Sequence, residues 1–297
     1  MILVIGDINL DIIVNLREEI NFDTDSQSKI YFQGGGSAAN FSYWLDYLKQ
    51  EVRFIAKTGD DFIVDFLKKE FKNLNIEFIN LRSDKYGTGR IVVLLDESGA
   101  RTMITDRGAN QDIKPLDIKE EYFEGVNHFH IGGYSFFDGE NMENTAMKAI
   151  KMAKEKNISI SFDPSSYSQL NEYGVRKILN KTEGIDFCFP NMEEGKILTN
   201  KEKPKEIVKY LINYYQNVIL KLGKKGCYVG TQNELFFVKQ KKKLAAGDTT
   251  GAGDAFSAAF ISEYLKSRDL KQAAECANSI GFECVNKIGG RPDSKEV

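Results

Sequence analysis

Residues 248–266, DTTGAGDAFSAAFISEYLK, join a glycine-rich turn directly to a predicted amphipathic helix. The apolar face of that helix consists of Phe256, Ala259, Phe260 and Tyr264. Small residues in the turn leave backbone N–H groups exposed at the helix N-terminus, where unpaired donors and the helix dipole favour an anion. The stretch therefore predicts either a cradle for a phosphate or developing anion, or only a glycine-rich helix cap.

Asp254 falls in the first turn of this helix, beside the exposed amides. A carboxylate there can take a proton from a substrate hydroxyl while the amides stabilise negative charge on the transferred group. The alternative is an N-terminal acid that only complements the helix dipole. The turn is not a Walker-type phosphate loop, because no Gly-Lys-Ser/Thr follows the glycines.

A second glycine-rich turn, GGGSAAN at residues 34–40, also leads into a predicted helix. The helix is indicated by apolar residues at spacings of three and four, namely Phe41, Trp44, Leu45 and Leu48. Glycines let a ligand approach the backbone closely, and Asn40 can donate and accept hydrogen bonds, which suits a sugar hydroxyl. A tight turn followed by a solvated Asn40 is the alternative.

Polar residues also follow the first apolar run, in the sequence Gly6-Asp7-Ile8-Asn9-Leu10-Asp11. Asp7, Asn9 and Asp11 share one side if the chain stays extended. Open α/β sheets bind ligands at the carboxyl ends of their strands, although a solvated strand exit has the same composition.

Apolar runs alternate with longer amphipathic segments along most of the chain. Strands are predicted at 2–5, 52–55, 126–131, 158–162, 185–189 and 218–222, and helices at 61–73, 140–156, 204–215, 254–266 and 270–286. This alternation predicts an α/β fold, with a mainly parallel sheet between two helical layers. Residues 10–33 and 86–105 break the rhythm with consecutive strands, and they predict a small extra β-sheet within a single domain spanning 1–297.

The composition excludes several classes of protein. The 297 residues are 42% hydrophobic and 28% charged, with a formal net charge of −3, so the chain is globular and has no basic stripe for nucleic acid. No apolar run reaches the roughly 18 residues of a membrane span, and the N-terminus lacks a basic leader segment. The four cysteines form no CxxC pair, which favours a reduced, cytoplasmic protein.

Together these motifs resemble those of the PfkB, or ribokinase-like, carbohydrate kinase family. The turn at 34–40 is similar to the family's N-terminal diglycine signature, and residues 248–260 are similar to its C-terminal signature. Between them, residues 107–110 (RGAN), 191–194 (NMEE) and 221–226 (KLGKKG) resemble the family's R-x-GAN, NxxE and nucleotide-side glycine segments. The resemblance covers essentially the whole chain.

The resemblance implies a three-layer kinase that transfers a phosphoryl group from Mg·ATP to an alcohol. It implies a catalytic base at Asp254 and an anion hole formed by Gly251, Ala252 and Gly253. The implied sugar-binding residues are Asn9, Asp11, Gly35, Gly36 and Asn40, and the implied nucleotide-binding residues are Asn191, Lys221, Gly223, Gly226 and Asn278. Glu194 is implied to bind Mg²⁺ through water, and Asp248 to bind a monovalent cation. The small sheet corresponds to the family's lid, which often pairs two subunits, so a homodimer is expected.

Departures from the family pattern bear on the acceptor. Residues 163–167 read DPSSY and lack the arginine of a DPNxR-like segment, which could pair with a sugar carboxylate. Residues 132–137 read GGYSFF, where ribokinases tend to present a sugar-binding glutamate. We therefore expect a small neutral sugar as acceptor. A nucleoside kinase, a kinase of an acidic keto-sugar such as 2-keto-3-deoxygluconate, and a non-catalytic sugar- or nucleotide-sensing module remain alternatives.

Overall fold

The computed structural model describes residues 1–96, 101–242, 249–286 and 289–292. Its strands are β1 Ile2–Ile5, β2 Asn9–Leu16, β3 Ser28–Gly35, β4 Val52–Thr58, β5 Ile76–Arg82, β6 Gly89–Leu95, β7 Arg101–Asp106, β8 His128–Gly132, β9 Ser159–Asp163, β10 Phe187–Cys188, β11 Asn217–Lys221, β12 Gly226–Gly230 and β13 Leu235–Lys239. Its helices are α1 Ser37–Tyr47, α2 Phe62–Phe71, α3 Tyr134–Phe137, α4 Glu140–Glu155, α5 Tyr167–Tyr173, α6 Val175–Thr182, α7 Met192–Thr199, α8 Pro204–Leu211, α9 Ala252–Ser267 and α10 Leu270–Val285.

Within the described residues, nine strands form the main sheet in the order β13-β12-β11-β10-β9-β8-β1-β4-β5. Neighbours from β11 to β5 pair in parallel, and β12 and β13 continue the sheet in antiparallel pairing. The carboxyl ends of the parallel strands therefore meet at one edge of the sheet. In α/β folds this edge holds the ligand site.

Side chains of the central strands pack on both faces of the main sheet, because successive residues of a strand point to opposite sides. In β1, Ile2 and Val4 join the core formed with α1, α9 and α10, while Leu3 and Ile5 join the core formed with α4 to α8. A strand buried on both faces requires an unbroken apolar run, and β1 is one. The predicted three-layer α/β/α architecture is confirmed.

The predicted small sheet is confirmed as four strands in the order β3-β2-β6-β7. Its strand register places Asp11, Gln33, Ile91 and Thr105 side by side on one face, here called the inner face. The neighbouring positions Ile12, Phe32, Val92 and Ile104 lie on the opposite, outer face. Arg101 of β7 contacts Thr249 and Thr250, so the inner face is turned towards the start of α9.

Some element boundaries differ from those predicted. The predicted strand 185–189 shortens to β10, Phe187–Cys188, and the predicted helix 204–215 ends at Leu211. Strands β5, β12 and β13 were not predicted; β12 reads GCYVG, and its terminal glycines are residues that the strand pattern disfavours. In the described part of the chain, none of the helices combines the length and apolar character that a membrane span requires.

Candidate functional site

Helices α1 and α9 begin beside each other, and the two glycine-rich turns meet there. Gly251 caps α9 in the left-handed region, with φ +67°. A Cβ added to Gly251 would lie 2.4 Å from the Gly290 Cα, so the turn packs against the segment that follows α10. Only glycine satisfies both the positive φ and the close contact at this position.

The residues of the predicted anion hole, Gly251, Ala252 and Gly253, lie at the start of α9, and their role stays a prediction. The first N–H groups of a helix lack intrahelical acceptors and can bind an anion. Gly253 lines a neighbouring cavity, whereas the Ala252 N–H donates to the Thr249 carbonyl at 3.3 Å. Asp248 lies outside the described residues, so its cation-binding role stays a prediction.

Asp254 joins the two sequence motifs, which lie more than 200 positions apart. Its Oδ1 accepts a hydrogen bond from the Ser37 hydroxyl at 2.7 Å, and its Oδ2 lies 3.4 Å from the Asn40 Nδ2. Burial raises the pKa of Asp254 to about 7, and the Asp163 carboxylate adds to that rise while the Ser37 hydrogen bond and Lys221 oppose it. A carboxyl group with this pKa exchanges a proton readily near neutral pH.

The predicted sugar-side residues surround a buried carboxylate. Asp11 Oδ1 has no hydrogen-bond partner among the described residues, and burial raises the pKa of Asp11 to about 7. A Cβ on Gly35 would lie 2.2 Å from the Asp11 Oδ2, and a Cβ on Gly36, which has φ +99°, would lie 2.6 Å from the Asp7 carbonyl oxygen. The glycines therefore let the Asp11 carboxylate and the α1 N-terminus approach each other closely. The Asp11 Oδ1 is therefore a candidate acceptor for a ligand hydroxyl, and its predicted contact with a sugar stays a prediction.

Asp7 and Asn9 make internal contacts. Asn9 is fully buried, and its Oδ1 accepts from the Asn110 Nδ2 at 2.8 Å. Asp7 accepts from the Ala38 N–H at 3.0 Å and pairs with the Arg107 guanidinium at 3.2 Å. These bonds fix the exit of β1 to α1, and the predicted contact between Asn9 and a sugar stays a prediction.

A buried lysine lies between the acids at the carboxyl ends of the central strands. The Lys221 Nζ is 2.6 Å from the Asp163 Oδ2, which also accepts from the Ser257 hydroxyl at 3.0 Å. Although burial works against the charged form, Asp163 and Glu194 raise the pKa of Lys221 above its usual value. The lysine therefore stays charged, and its cation lies near both Asp163 and Asp254.

Asn191 and Glu194 form a reciprocal cap at the start of α7. The Asn191 Oδ1 accepts from the Glu194 N–H at 2.9 Å, and the Glu194 Oε2 accepts from the Asn191 N–H at 2.8 Å. Burial raises the pKa of Glu194 to about 7, while Lys221 lowers it. The cap holds the Glu194 carboxylate close enough to Lys221 for the two charges to interact.

A cavity of about 670 Å³ opens between α9, α10 and β11 to β13. Its lining includes all five of the predicted nucleotide residues, Asn191, Lys221, Gly223, Gly226 and Asn278. The Asn278 Nδ2 donates to the Val238 carbonyl at 3.2 Å, which ties α10 to β13. Gly253 also lines this cavity, so the cavity reaches the start of α9.

The donor atoms suit a hard cation but form no closed metal cage. Across the described ranges, no group of three or more His, Cys, Asp or Glu side chains could hold a metal ion unaided. The carboxylates of Asp163 and Glu194 are the oxygen ligands that Mg²⁺ accepts, and Mg²⁺ commonly completes its shell with water and phosphate. These residues therefore fit a magnesium ion that arrives with a phosphate ligand.

Four residues of the candidate site, Ser37, Asp163, Glu70 and Arg291, were not among the predicted site residues. Ser37 and Asp163 could have been found, because one follows the diglycine turn and the other ends a predicted strand. Glu70 and Arg291 could not: they pair with each other across more than 200 positions and belong to none of the motifs.

Known proteins of similar sequence and fold cover almost the whole chain. A 27% identical relative is an ATP-dependent ribose-1-phosphate kinase of Halopiger xanaduensis, with 96% of this chain and 92% of the relative covered. The crystal structure of adenosine kinase from Sinorhizobium meliloti superposes with a TM-score of 0.89 at 22% identity, covering 98% of this chain and 95% of the other. An Escherichia coli structure in complex with ATP and Mg²⁺ gives a TM-score of 0.87 at 24% identity and covers 97% and 94% of the two chains.

These structural likenesses concern the fold alone. The pfkB family carbohydrate kinase model matches residues 1–296. The chain therefore belongs to the pfkB family of carbohydrate kinases.

Proposed function

We propose that this kinase transfers the γ-phosphoryl group of Mg·ATP to a hydroxymethyl group of a small neutral sugar. The observation that carries the proposal is the position of Asp254. Its partly buried carboxyl group, with a pKa of about 7, lies beside the sugar-side Asn40 in the first turn of α9, where the nucleotide cavity ends. A base between an acceptor site and an anion cradle is what phosphoryl transfer to an alcohol requires.

In the proposed reaction Asp254 takes the proton of the acceptor hydroxyl as that oxygen bonds to the γ-phosphorus. The bond from the γ-phosphorus to the bridging oxygen breaks, and ADP leaves with the electron pair. The helix amides at Gly251 to Gly253 stabilise the charge on the transferred group, and the Lys221 ammonium adds a fixed positive charge nearby. Ser37 and Asn40 hold the Asp254 carboxylate in place.

The nucleotide binds, in this proposal, in the cavity between α9, α10 and β11 to β13. Glu194 and Asp163 would hold Mg²⁺ through its water shell, and the bound ion would supply positive charge that offsets the charge of the phosphate groups. The relative named an ATP-dependent kinase and the neighbour in complex with ATP and Mg²⁺ support this choice of donor.

The charges around the acceptor site favour a neutral sugar. Among the described cations, Arg107 is paired with Asp7 and Asp138, Arg90 with Asp106, and Arg291 with Glu70, while Arg101 donates to the hydroxyls of Thr249 and Thr250. These pairs leave Asp11 and Asp254 facing the acceptor. A substrate carboxylate would meet those acids in a largely buried pocket, where uncompensated charge is costly.

The small sheet is proposed to act as a lid that excludes water from the activated phosphate. Its outer face carries the exposed side chains Ile30, Phe32 and Ile104, which are 57%, 61% and 60% accessible. Exposed apolar patches of this kind are typical of interaction surfaces. We therefore propose that two copies of the chain pair through these faces.

The test of the function is a coupled ADP-release assay over pentoses, hexoses, nucleosides and 2-keto-3-deoxygluconate at saturating Mg·ATP. We expect a neutral sugar to give the highest kcat/KM. A nucleoside or the acidic sugar ahead by more than about tenfold, which is about 1.4 kcal/mol in transition-state binding, would replace the neutral-sugar proposal with that alternative. Nucleotide binding without turnover on any acceptor would favour a non-catalytic sensing module.

A further inference from the structure

Arg291, after α10, places a buried cation against the acceptor side of the site. Its side chain is only 4% exposed, and its guanidinium lies 4.2 Å above the centre of the Tyr43 ring. The guanidinium pairs with Glu70 of α2 and donates from Nη2 to the Gly35 carbonyl at 3.1 Å. A charged group with this degree of burial needs a full set of partners, and Arg291 has partners on each side.

The third nitrogen of the guanidinium sets the orientation of the Asn40 side-chain amide. The Arg291 Nε donates to the Asn40 Oδ1 at 3.1 Å. Because a guanidinium has donors and no acceptors, only the oxygen of the Asn40 amide can face it. The Asn40 Nδ2 must then point the other way, where it lies 3.4 Å from the Asp254 Oδ2. Arg291 thereby decides which end of the amide meets the acceptor and the proposed base.

The same residue fixes the base of β3. Glu70, its ion-pair partner, accepts from the Gly34 N–H at 3.1 Å, and Arg291 itself holds the Gly35 carbonyl. A Cβ on Gly34 would lie 2.1 Å from the Arg291 Nη1, so the strand runs directly over the ion pair. The pair therefore sets the position of the diglycine turn relative to Asn40.

We propose that Arg291 is a positioning residue for the acceptor sugar: it fixes the Asn40 amide as a donor and holds the Gly35 backbone against the acceptor site. This inference rests on the proposed sugar kinase function. A lysine cannot replace the arginine, because one ammonium lacks the planar fork that reaches Asn40, Gly35 and Glu70 together.

The experiment compares Arg291→Lys with the double variant Glu70→Gln/Arg291→Gln, which removes both charges and leaves neither buried alone. Arg176→Gln, an exposed arginine on α6, is the matched control. For both test variants we expect the KM for the acceptor to rise about tenfold or more, with the KM for ATP within about twofold of wild type. The rise in melting temperature caused by the acceptor alone should shrink in parallel.

A double-mutant cycle with Asn40→Ala tests whether Arg291 affects acceptor binding through Asn40. If Arg291 acts through Asn40, the variant that carries both substitutions has an acceptor KM much lower than the product of the two single-variant fold-changes predicts. An acceptor KM within about twofold of wild type in either folded test variant, or independent effects in the cycle, would overturn the inference. A wild-type protein that phosphorylates no acceptor would contradict the proposed function instead.

Discussion

Asp254 combines a partly buried position with a negative charge that the proposed chemistry needs. In water the carboxylate would be stable but a weak base, whereas burial raises its pKa to about 7 and makes it a stronger one. The same burial destabilises the ionised folded state. The residue is therefore expected to contribute to activity and to oppose stability over the same pH range.

Asp254→Asn should leave the fold and nucleotide binding intact while lowering kcat by about 10²- to 10⁴-fold, the usual contribution of a general base. Asparagine can still accept from the Ser37 hydroxyl, so the local hydrogen bond remains. Asp269→Asn, at the exposed start of α10, is the control, because asparagine caps a helix as well as aspartate does. Near-wild-type turnover in Asp254→Asn would remove the residue from the mechanism.

Stability should respond to pH in the opposite sense to activity. A carboxyl group whose folded pKa is raised stabilises the fold at low pH, and this contribution is lost as pH rises from about 4 through about 7. His128 and His130 oppose the trend, because burial lowers their pKa to about 3 and their contribution grows up to about pH 6.5. The contribution of Asp254 is therefore measured as the difference in unfolding free energy between wild type and an Asp254 variant at each pH.

In the absence of ligands, Asp254→Asn should therefore be more stable than wild type, and the difference in unfolding free energy should grow by roughly 1–3 kcal/mol between pH 5 and pH 8. Urea unfolding of both proteins across that range measures the difference. If the difference is flat with pH, the folded pKa of Asp254 is close to its ordinary value and the proposed base is too weak.

At the scale of elements, long apolar or amphipathic segments were the predictable ones. β1 was predicted at 2–5 and lies at Ile2–Ile5, and α9 was predicted at 254–266 and spans Ala252–Ser267. Burial on both faces of the sheet explains why β1 is so clear in the sequence. β12 was missed because glycines at both ends interrupt its short apolar run.

The candidate site could be predicted from the sequence where the backbone conformation of a turn requires glycine. Glycines at the starts of α1 and α9 reveal both turns, and the residues nearest them reveal Asn40 and Asp254. Arg291 was not predictable, since a single arginine near the end of a chain is usually solvated and only the fold brings it to Asn40.

Glu194 caps helix α7 and, in the proposed function, helps to hold Mg²⁺. Glu194→Gln should keep the cap on α7, because glutamine also serves in a capping box, but it removes the negative charge. We expect the Mg²⁺ concentration for half-maximal rate to rise about threefold or more, with little change in the acceptor KM. The exposed neighbour Glu193 provides the control Glu193→Gln. An unchanged Mg²⁺ requirement would leave Glu194 with the helix cap alone.

At the scale of the whole molecule, the small sheet turns one face towards the candidate site and exposes apolar side chains on the other. The inner face carries Asp11 towards the proposed acceptor site, so the proposed function requires this face to be polar in part. The outer face has no such requirement, yet Ile12, Val14, Val92 and Leu94 line it together with the three exposed residues described above. A sheet face with this many exposed apolar side chains is expected to pair with another surface.

Phe32→Glu should therefore convert a dimer to a monomer, because it places a charge at the centre of the proposed interface, where it would be buried without a partner. Light scattering coupled to size exclusion gives the mass directly. Phe62→Glu, which changes an 81% exposed phenylalanine at the start of α2, should leave the mass unchanged. Since closure of the small sheet over the acceptor would depend on its partner, the monomer should also show a higher acceptor KM than the control. A wild-type protein that is monomeric at micromolar concentration would contradict the dimer, and it would leave the outer face to a different partner.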